Sequence, residues 1–588
     1  MYFFIGKYFK FLNYCFRIDS KFFSIYIILG IFSIFTPYLY INVFSNIFDS
    51  LMKNLSNNIF DRNIVLYFIL LVLLTVYMWF FETVESKVKD LFELSVDSKV
   101  VINQLEKLSK LKQDSFEDKE VYDLINRVCG EDRKFIALTF VSIIGLFVII
   151  CQSMIYFYFI SKISFILACV LVLIVMPIFY LSNKFGKVNY EFNKSFTYIF
   201  RKNKFLYNIF IEKSFAKEKE IFNFGEFYKQ KWNLQDNIIR KKYNIINLKW
   251  FASIKFSNII TEIITFIIIF SVLFNFSSNN VTIGFVVAFI SSISKFINSI
   301  SWGVPYYLKD ISEGMEYFVE SMLFFNLDEE NYEKNDSLYN LEKIEFKNVN
   351  FKYPNGEACV LKDVSFTFER SKHYAIVGLN GSGKSTIVKL ILGIYSNFSG
   401  NILLNGQSIS KFNYDSLRKN IVVLNQDFKK YNLSFKDNII LGEQFDEKKF
   451  NSIISKLELG SLINKLKDGI ETNLGNFEIG ASDLSGGEWH KIAFARILYR
   501  DSPFYIFDEP ISSYDSISEK EFVDKVNKYF KDKMCLIISH RFSIIKDCDY
   551  IYVIQDGGIL QSGTHSDLKS VDGIYRKMFE SQKGLFYE

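Results

Sequence analysis

Residues 378–385 have the types and the spacing needed to hold a phosphate group. They read Gly-Leu-Asn-Gly-Ser-Gly-Lys-Ser and fit the pattern G-x-x-x-x-G-K-[ST] at every fixed position. Glycines let backbone N–H groups converge on phosphate oxygens, the lysine neutralises phosphate charge, and the last hydroxyl can bind Mg²⁺. The loop therefore predicts a nucleoside triphosphate and Mg²⁺ as ligands. The candidate ligand residues are Gly378, Asn380, Gly381, Ser382, Gly383, Lys384, Ser385 and Thr386.

The segments on either side of this phosphate loop support the interpretation. Residues 374–377 form an apolar run that predicts a buried strand, and residues 386–392 predict a helix. A helix that begins at the loop points its positive N-terminal end at the anion. The alternative, a chance glycine-rich turn, is disfavoured because strand, loop and helix occur in the required order.

An acidic pair stands at the end of a second predicted strand. Residues 504–507 are apolar, and they deliver Asp508 and Glu509 to the carboxyl edge of an open α/β sheet, where ligands bind. Asp508 can hold Mg²⁺ through water, and Glu509 can polarise an attacking water as a general base. Such a pair, found alone, is more often a helix cap or a solvated turn. A phosphate loop in the same chain favours hydrolysis.

A third motif, the signature segment, comprises residues 484–488 and reads Leu-Ser-Gly-Gly-Glu. With it, the chain from about residue 344 to the C-terminus resembles the nucleotide-binding domain of an ATP-binding cassette (ABC) transporter. In that family the Ser-Gly-Gly turn binds the ATP held by another copy of the domain. The resemblance implies ATP as the nucleotide. It also adds Ser485, Gly486, Gly487 and Glu488 to the expected ATP ligands.

The resemblance assigns roles to four more residues, one by one. Tyr353 is placed to stack on adenine, and Gln426 falls where a loop contacts Mg²⁺ and senses the membrane domain. Asp515 lies on the loop that crosses to the partner domain, and His540 corresponds to the histidine that contacts the γ-phosphate. A lone His after a strand is usually a packed or surface residue, so His540 owes its role to the order of the family's motifs. The catalytic residues expected are thus Glu509 and His540, and the Mg²⁺ ligands are Ser385, Gln426 and Asp508.

The sequence departs from the family pattern in three places. Glu488 replaces a usual Gln, residues 489–491 read Trp-His-Lys where Gln and Arg are common, and residues 512–515 read Ser-Ser-Tyr-Asp. None of these changes removes a phosphate ligand. Glu488 adds a negative charge near the nucleotide, which could weaken ATP capture. Because every phosphate ligand is kept, we still expect a site that hydrolyses ATP.

Long apolar segments fill the first three hundred residues. Each approaches the length of about 20 residues that crosses a bilayer, and runs such as residues 64–74 have no polar face that a soluble helix would need. Buried helices of a large soluble protein are therefore rejected. The predicted spans are residues 22–43, 64–81, 135–160, 163–180, 252–274 and 282–302.

Basic residues indicate how these spans are oriented. The inner stretches 82–134 and 181–251 contain ten and fifteen Lys or Arg, whereas the three opposite loops contain Lys53, Arg62 and Lys162. Because Lys and Arg stay on the cytoplasmic side, we expect both termini and the ATP-binding domain in the cytoplasm. The protein is predicted to be a multi-pass protein of a bacterial cell membrane. Its net charge of +5 comes largely from the inner loops, and no nucleic-acid partner is predicted.

The predicted fold class is a multidomain membrane protein. An all-α transmembrane domain of six helices (residues 1–310) is followed by a linker (311–343) and an α/β P-loop ABC domain (344–588). The inner stretches are too long for simple loops and look like spans extended into the cytoplasm, as in the exporters called type I or type IV. Short coupling helices are expected at residues 114–122 and 197–204. The seven cysteines show no metal-ligand spacing and are expected to be reduced.

One set of six spans and one ABC domain make a half-transporter, so we expect a dimer. A homodimer is favoured because every catalytic element is intact, and a heterodimer remains open. Glu262 and Lys295 each lie 13 residues from the outer end of their span, at about 20 Å depth for 1.5 Å per residue. Charges there are costly unless they pair or face a wet cavity. We expect the two to pair or to line a cargo cavity together.

The cargo is the least determined property of the chain. Residues 474–480 and 484–496 are similar to the subgroup of exporters for lantibiotics and other modified peptides. This favours a peptide, with a multidrug or lipid exporter as the alternative. An ATP-gated channel or receptor-like regulator would use the same fold. A soluble ATPase acting on DNA or ribosomes is excluded by the spans, and import is disfavoured because importers usually keep spans and ABC domains on separate chains.

Overall fold

The computed structural model separates into two compact units. Unit 1 contains residues 1–111 and 119–328, and unit 2 contains residues 112–118 and 329–588. The residues that the structure describes are 2–57, 63–130, 135–161, 165–166, 168–169, 188, 191–192, 195–196, 198–274, 282–330, 336–354, 356, 358–475, 480–510 and 516–584.

Unit 1 is built from helices, several of them longer than a bilayer is thick. Two helices run for 48 and 50 residues, Asn63–Lys110 and Gly225–Phe274, and at 1.5 Å per residue each is about 70 Å long. Other helices within the described residues are Tyr2–Ile18, Ser20–Ile34, Thr36–Asn57, Lys119–Val128, Phe135–Ser161, Lys213–Phe222, Ile283–Asn298 and Val304–Phe325. Ser299–Gly303 is a π-helix that joins the last two.

Four described stretches are long and apolar enough to cross a membrane, Ser20–Asn54, Ile64–Lys110, Phe135–Ser161 and Ile283–Phe325. They contain the first, second, third and sixth predicted spans. The fifth span lies within the helix Gly225–Phe274. The fourth span falls almost entirely outside the described residues. The helical membrane domain is thus confirmed, while the number of six spans stays a prediction.

Unit 2 contains two sheets, one antiparallel and one mainly parallel. The first has the order β2-β1-β4-β5, and the second has the order β10-β9-β3-β8-β7-β6. The strands are β1 (Lys343–Phe351), β2 (Leu361–Glu369), β3 (His373–Gly378), β4 (Phe398–Leu404), β5 (Gln407–Ser408), β6 (Ile421–Leu424), β7 (Phe504–Asp508), β8 (Met534–Ile538), β9 (Tyr550–Gln555) and β10 (Gly558–Gly563).

The larger sheet positions the predicted site. β3, β8, β7 and β6 are parallel neighbours, so their carboxyl ends meet at one edge. β3 and β8 are buried along their whole length, which explains why they read as continuous apolar runs. The phosphate loop, His540, the acidic pair and Gln426 follow these strands and therefore come together at one edge.

Helices pack on one face of this sheet, and the antiparallel sheet together with helices packs on the other. The helix Lys384–Ile391 follows the phosphate loop, and Gly486–Arg500 follows the signature segment. The remaining helices of unit 2 are Asp114–Glu117, Tyr414–Asn420, Phe435–Ile440, Glu447–Lys456, Gly460–Ile463, Ser516–Tyr529, Phe542–Ile545, His565–Ser570 and Ile574–Gly584. The fold class predicted for this half, an α/β P-loop domain, is confirmed.

Candidate functional site

The phosphate loop has the geometry of an anion cradle. Gly383 has φ +104°, in the left-handed region that favours glycine, and a Cβ there would lie 2.6 Å from Leu361 Cδ2. Lys384 Nζ donates to the carbonyl oxygens of Gly378 and Leu379 at 2.9 and 3.0 Å, so its ammonium group turns back over the loop. Ser385 is exposed at the first turn of the helix. A phosphate in the loop would meet converging N–H groups and one ammonium group.

Ser382 supports a ligand in this loop independently. Its Oγ is buried and has no hydrogen-bond partner in the described protein atoms. Burying a hydroxyl without a partner is unfavourable, and a phosphate oxygen would satisfy it. The donor set also fits Mg²⁺, since Ser385 supplies a hydroxyl and Asp508 a carboxylate, and phosphate oxygens and waters complete such sites. Bound there, Mg²⁺ would neutralise phosphate charge.

Glu509 and His540, the two residues expected to be catalytic, lie next to each other. Because β7 and β8 pair in parallel, Asp508 is opposite Ile538, and the Glu509 N–H donates to Ile538 O at 2.8 Å. His540 Nε2 lies 3.2 Å from Glu509 Oε1. The expected general base and the histidine expected to contact phosphate thus lie at one strand edge.

Burial and mutual charge perturb the acid–base groups here. Burial, followed by the charge of Glu509, raises the pKa of Asp508, and Lys384 opposes the shift. Burial lowers the pKa of Lys384. Burial and then Lys384 lower the pKa of His540, which Glu509 partly offsets, so the imidazole is neutral at pH 7. These shifts place the four groups in one electrostatic cluster, as at catalytic sites.

Arg541 holds the segment that carries His540, a role that no sequence motif indicated. Its guanidinium Nη1 lies 2.7 Å from Glu519 Oε2, on the helix Ser516–Tyr529. The Arg541 N–H also donates to Ser539 Oγ at 3.0 Å. Both contacts restrain the turn after β8, so the imidazole of His540 stays at the sheet edge.

The structure places two of the residues assigned by resemblance around the same edge. The Tyr353 hydroxyl is 3.0 Å from Thr386 Oγ1, at the helix that follows the phosphate loop, so this ring lies beside the site. Gln426 is exposed in the turn after β6. Asp515 lies outside the described residues. Adenine stacking by Tyr353 and Mg²⁺ binding by Gln426 stay predictions.

The signature segment forms a capped helix start whose glycines face solvent. Ser485 caps the helix Gly486–Arg500: its Oγ accepts from the Glu488 N–H at 3.3 Å, and Glu488 accepts from the Ser485 N–H at 2.9 Å. These hydrogen bonds hold the pKa of Glu488 below its usual range. Ser485, Gly486 and Gly487 are exposed, so this positive helix end is accessible to an external phosphate.

Residues 112–118 fold with unit 2, although they lie between two helices of unit 1 in sequence. The short helix Asp114–Glu117 matches the start of the first expected coupling helix. The Tyr395 hydroxyl donates to the Glu117 carboxylate, and Lys389 Nζ lies 3.6 Å from it. Both contacts are new relative to the sequence prediction. The second expected coupling helix is helical over its described residues 198–204.

The two intramembrane charges expected to pair are both exposed in the described chain. Lys295 Nζ lies 5.3 Å from the Tyr40 ring centroid, and this cation–π contact stabilises the ammonium charge. No ion pair between Glu262 and Lys295 is found among the described residues. Their sharing of a cargo cavity stays a prediction.

Unit 1 contains a cavity that sequence reasoning missed. Its volume is about 390 Å³, and among its described lining residues are two carboxylates and no Lys, Arg or His. The π-helix Ser299–Gly303 forms part of the wall, and π-helical turns often occur at functional sites. The polar lining residues are Ser33, Thr36, Glu82, Glu85, Gln152, Ser299 and Tyr307. The sequence signal was the pair of glutamates directly after the second apolar run.

The fold and the site together define the class of this protein. It has the fold of an ABC exporter, with membrane helices and one ABC domain on the same chain. Its ABC domain is an ATP hydrolase coupled to transport. Residues 361–512 match the family model described as ABC transporter.

Particular relatives extend this result over most of the chain. The subtilin transport ATP-binding protein SpaT of Bacillus subtilis is 29% identical over 505 residues, 84% of this chain and 81% of that protein. The nisin transport ATP-binding protein NisT of Lactococcus lactis subsp. lactis is 26% identical over 531 residues, 88% and 87% of the two chains. The ATP-dependent lipid A-core flippase of Vibrio parahaemolyticus is 35% identical over 258 residues, 43% of this chain and 44% of that protein.

A solved structure shares the whole fold. The structure of a bacterial Atm1-family ABC exporter with ATP bound has a TM-score of 0.79 and covers 96% of this chain and 99% of its own. Its sequence identity is 19%, so the likeness concerns the fold.

Proposed function

We propose that this ATP-driven exporter works as a homodimer that moves a peptide out of the cytoplasm. The main support for ATP-driven transport is the cluster at one sheet edge, which contains Lys384, Asp508, Glu509 and His540. In the described part of the chain the Ser485 side chain bonds Glu488 and no member of that cluster. A second copy would supply the exposed Ser485 to the ATP held by Ser385.

Every expected catalytic element is intact in this chain, so two copies would form two equivalent ATP sites. This favours identical subunits over a heterodimer. Two differently tagged copies of this chain, expressed together, should co-purify with each other. Stoichiometric recovery of a different ABC subunit in place of the second tagged copy would contradict the homodimer.

ATP with Mg²⁺ is the energy source in this proposal. Closing two ATP molecules between the ABC domains would move the helices of the membrane domain, and hydrolysis would reset them. Ser385, Asp508 and Gln426 would hold the Mg²⁺. The cation would neutralise charge on the phosphates while Glu509 polarises the attacking water and neutral His540 contacts the γ-phosphate.

The direction of transport follows from the arrangement of the chain as well as its orientation, since importers usually keep spans and ABC domains on separate chains. The excess of Lys and Arg in residues 82–134 and 181–251 supports cytoplasmic termini and a cytoplasmic ABC domain in a bacterial cell membrane. ATP is available on that side. Cargo would therefore enter from the cytoplasm and leave on the opposite side.

A peptide is the proposed cargo class. Two relatives that align over most of this chain are named as transport ATP-binding proteins for subtilin and nisin. The cavity in unit 1 has a size within the roughly 300–1,000 Å³ range of ligand pockets and carries Glu82 and Glu85. These carboxylates would attract a positively charged segment of the cargo. Lipid A-core flippases align over 41% to 52% of this chain, which keeps a lipid as the second candidate.

Inside-out membrane vesicles test the proposal directly. Vesicles with the wild-type chain should accumulate a fluorescein-labelled Lys-rich peptide when ATP and Mg²⁺ are added, and vesicles with Glu509→Gln should not. A labelled phospholipid is tested in parallel. If the vesicles move the phospholipid in preference to the peptide, a lipid becomes the proposed cargo class. Uptake that persists unchanged in Glu509→Gln would favour an ATP-gated channel and contradict coupled transport.

A further inference from the structure

His490 connects the signature helix to the residue that follows the catalytic glutamate. It lies on the helix Gly486–Arg500, five positions after the cap Ser485. Its Nε2 is hydrogen-bonded to the carbonyl oxygen of Pro510, which is buried. Pro510 comes directly after Glu509 in the chain. The contact therefore acts on the backbone one residue from the general base.

The backbone at Glu509 needs such support. Glu509 has φ +46°, in the left-handed region that is unfavourable for a non-glycine residue. A strained residue persists when its surroundings fix it. Before the turn, the Glu509 N–H donates to Ile538 O at 2.8 Å. After the turn, His490 binds the Pro510 carbonyl, so the strained residue is fixed on both sides.

The imidazole is itself fixed by its neighbours. Its ring contacts Phe428 edge to face with centroids 5.7 Å apart, and Phe522 with centroids 6.4 Å apart. A rigid ring can hold a backbone carbonyl more precisely than a mobile side chain, because less freedom is lost on bonding. The neutral tautomer with hydrogen on Nε2 supplies the donor that the Pro510 carbonyl requires.

We propose that His490 is a positioning residue that aims Glu509 of its own chain at the attacking water. The inference rests on the dimer of the proposed function, in which the signature segment serves the ATP of the partner. His490 lies on the helix of that segment, yet its contact leads to the catalytic site of its own domain. The same helix would thus contact one ATP and organise hydrolysis of the other.

The first test uses the full-length protein in lipid nanodiscs. His490→Leu keeps an apolar side chain but removes the donor, whereas His490→Gln keeps an N–H donor at similar reach. We expect kcat of ATP hydrolysis to fall about 10- to 100-fold in His490→Leu, the range for a small displacement of a catalytic group, with KM for ATP within about 2-fold. His490→Gln should restore most of kcat. Lys491→Gln, the exposed neighbour, should match the wild type.

Several results would overturn the positioning role. Unchanged kcat in His490→Leu would contradict it, and so would a raised KM at unchanged kcat. Equal damage in His490→Gln and His490→Leu would show that packing, and not the donor, matters. Binding of a fluorescent ATP analogue and the thermal transition of each variant verify that the protein is folded. A wild-type protein that hydrolyses no ATP would instead contradict the proposed function.

Mixed dimers test whether the effect stays within one chain. In one dimer, Glu509→Gln and His490→Leu are on different protomers, and in the other both are on the same protomer beside a wild-type partner. Two tags isolate each dimer, and hydrolysis of trapped ATP is measured in a single turnover. We expect the same-protomer dimer to match a reference with Glu509→Gln alone on one protomer, and the split dimer to be about 10- to 100-fold slower. The reverse ranking would overturn the proposal.

Discussion

The His540 imidazole Nε2 lies 3.2 Å from a carboxylate oxygen of Glu509, across the ends of two parallel strands. The register of β7 with β8 fixes this distance, because Asp508 pairs with Ile538 and the two functional residues follow within two positions. A neutral imidazole at this place can orient the water that Glu509 polarises without adding a positive charge before ATP binds.

Replacing His540 with Ala should slow hydrolysis and leave ATP binding in place. Loss of one positioned donor typically costs about 10²–10³ in kcat. We expect a decrease of this size in steady-state ATPase assays, with little change in KM. His565→Ala is the matched control, since His565 bonds Tyr575 away from the site. A wild-type kcat in His540→Ala would contradict the catalytic role.

Replacing Glu488 with Gln should improve ATP capture. Gln keeps an acceptor for the Ser485 N–H. It removes a negative charge that, in the proposed dimer, would lie beside the phosphates of the partner's ATP. A charge at a helix N-terminus contributes about 0.3–1 kcal/mol, so KM for ATP should fall about 2- to 5-fold. The effect should shrink as salt increases. Glu447→Gln, at the start of another helix, is the control. An increase in KM would contradict the prediction.

Removing the Tyr395 hydroxyl should weaken the coupling of hydrolysis to transport. Tyr395→Phe deletes the hydrogen bond to Glu117, and a bond to a charged group contributes about 1.5–3 kcal/mol. Basal ATPase activity should persist, while peptide uptake per ATP hydrolysed falls. Tyr550→Phe, which loses a hydroxyl bonded to Ser562, is the control. Equal coupling ratios in Tyr395→Phe and the wild type would contradict the role of this contact.

Acid should destabilise the ABC domain partly through His490. Burial, with a smaller contribution from Lys525, lowers the pKa of His490, and the bond to Pro510 opposes the shift. An unfolded His titrates near about 6.5, so below that pH the unfolded chain binds more protons than the folded one. This contribution to stability is present above about pH 6.5 and is lost as pH falls towards the folded pKa. The thermal transition should drop between pH 7 and pH 5, and less so in His490→Gln. Parallel curves would contradict the assignment.

Removing the two cavity carboxylates should weaken binding of a lipophilic cation. Tetraphenylphosphonium and tetraphenylborate have similar size and opposite charge, so they separate charge from hydrophobicity. We expect equilibrium dialysis to show tetraphenylphosphonium binding that is about 5- to 10-fold weaker in the double variant Glu82→Gln/Glu85→Gln, for about 1 kcal/mol of charge attraction. Glu106→Gln, on the same helix, is the control. Equal binding of both probes would contradict a cation site.

The motifs of unit 2 could be predicted residue by residue, because phosphate chemistry restricts which residue types can serve. The strands before the phosphate loop and the acidic pair were also predictable, since fully buried parallel strands read as short apolar runs. The hydrogen bond from His490 to the Pro510 carbonyl could not be predicted, because it joins positions twenty residues apart that only tertiary packing brings together. The first predicted span is divided at Phe35, where one helix ends and the next begins. Hydropathy does not report such a break.

The sequence by itself determined that this chain has membrane helices and an ABC domain, because apolar length and phosphate-binding motifs are local properties. Tertiary structure decided which groups meet: the order β3-β8-β7-β6 brings Lys384, His540, Glu509 and Gln426 to one edge. It also decided that Glu82 and Glu85 face a cavity and that Lys295 lies over Tyr40. Strand order and helix packing depend on contacts between distant segments, and no local pattern encodes them.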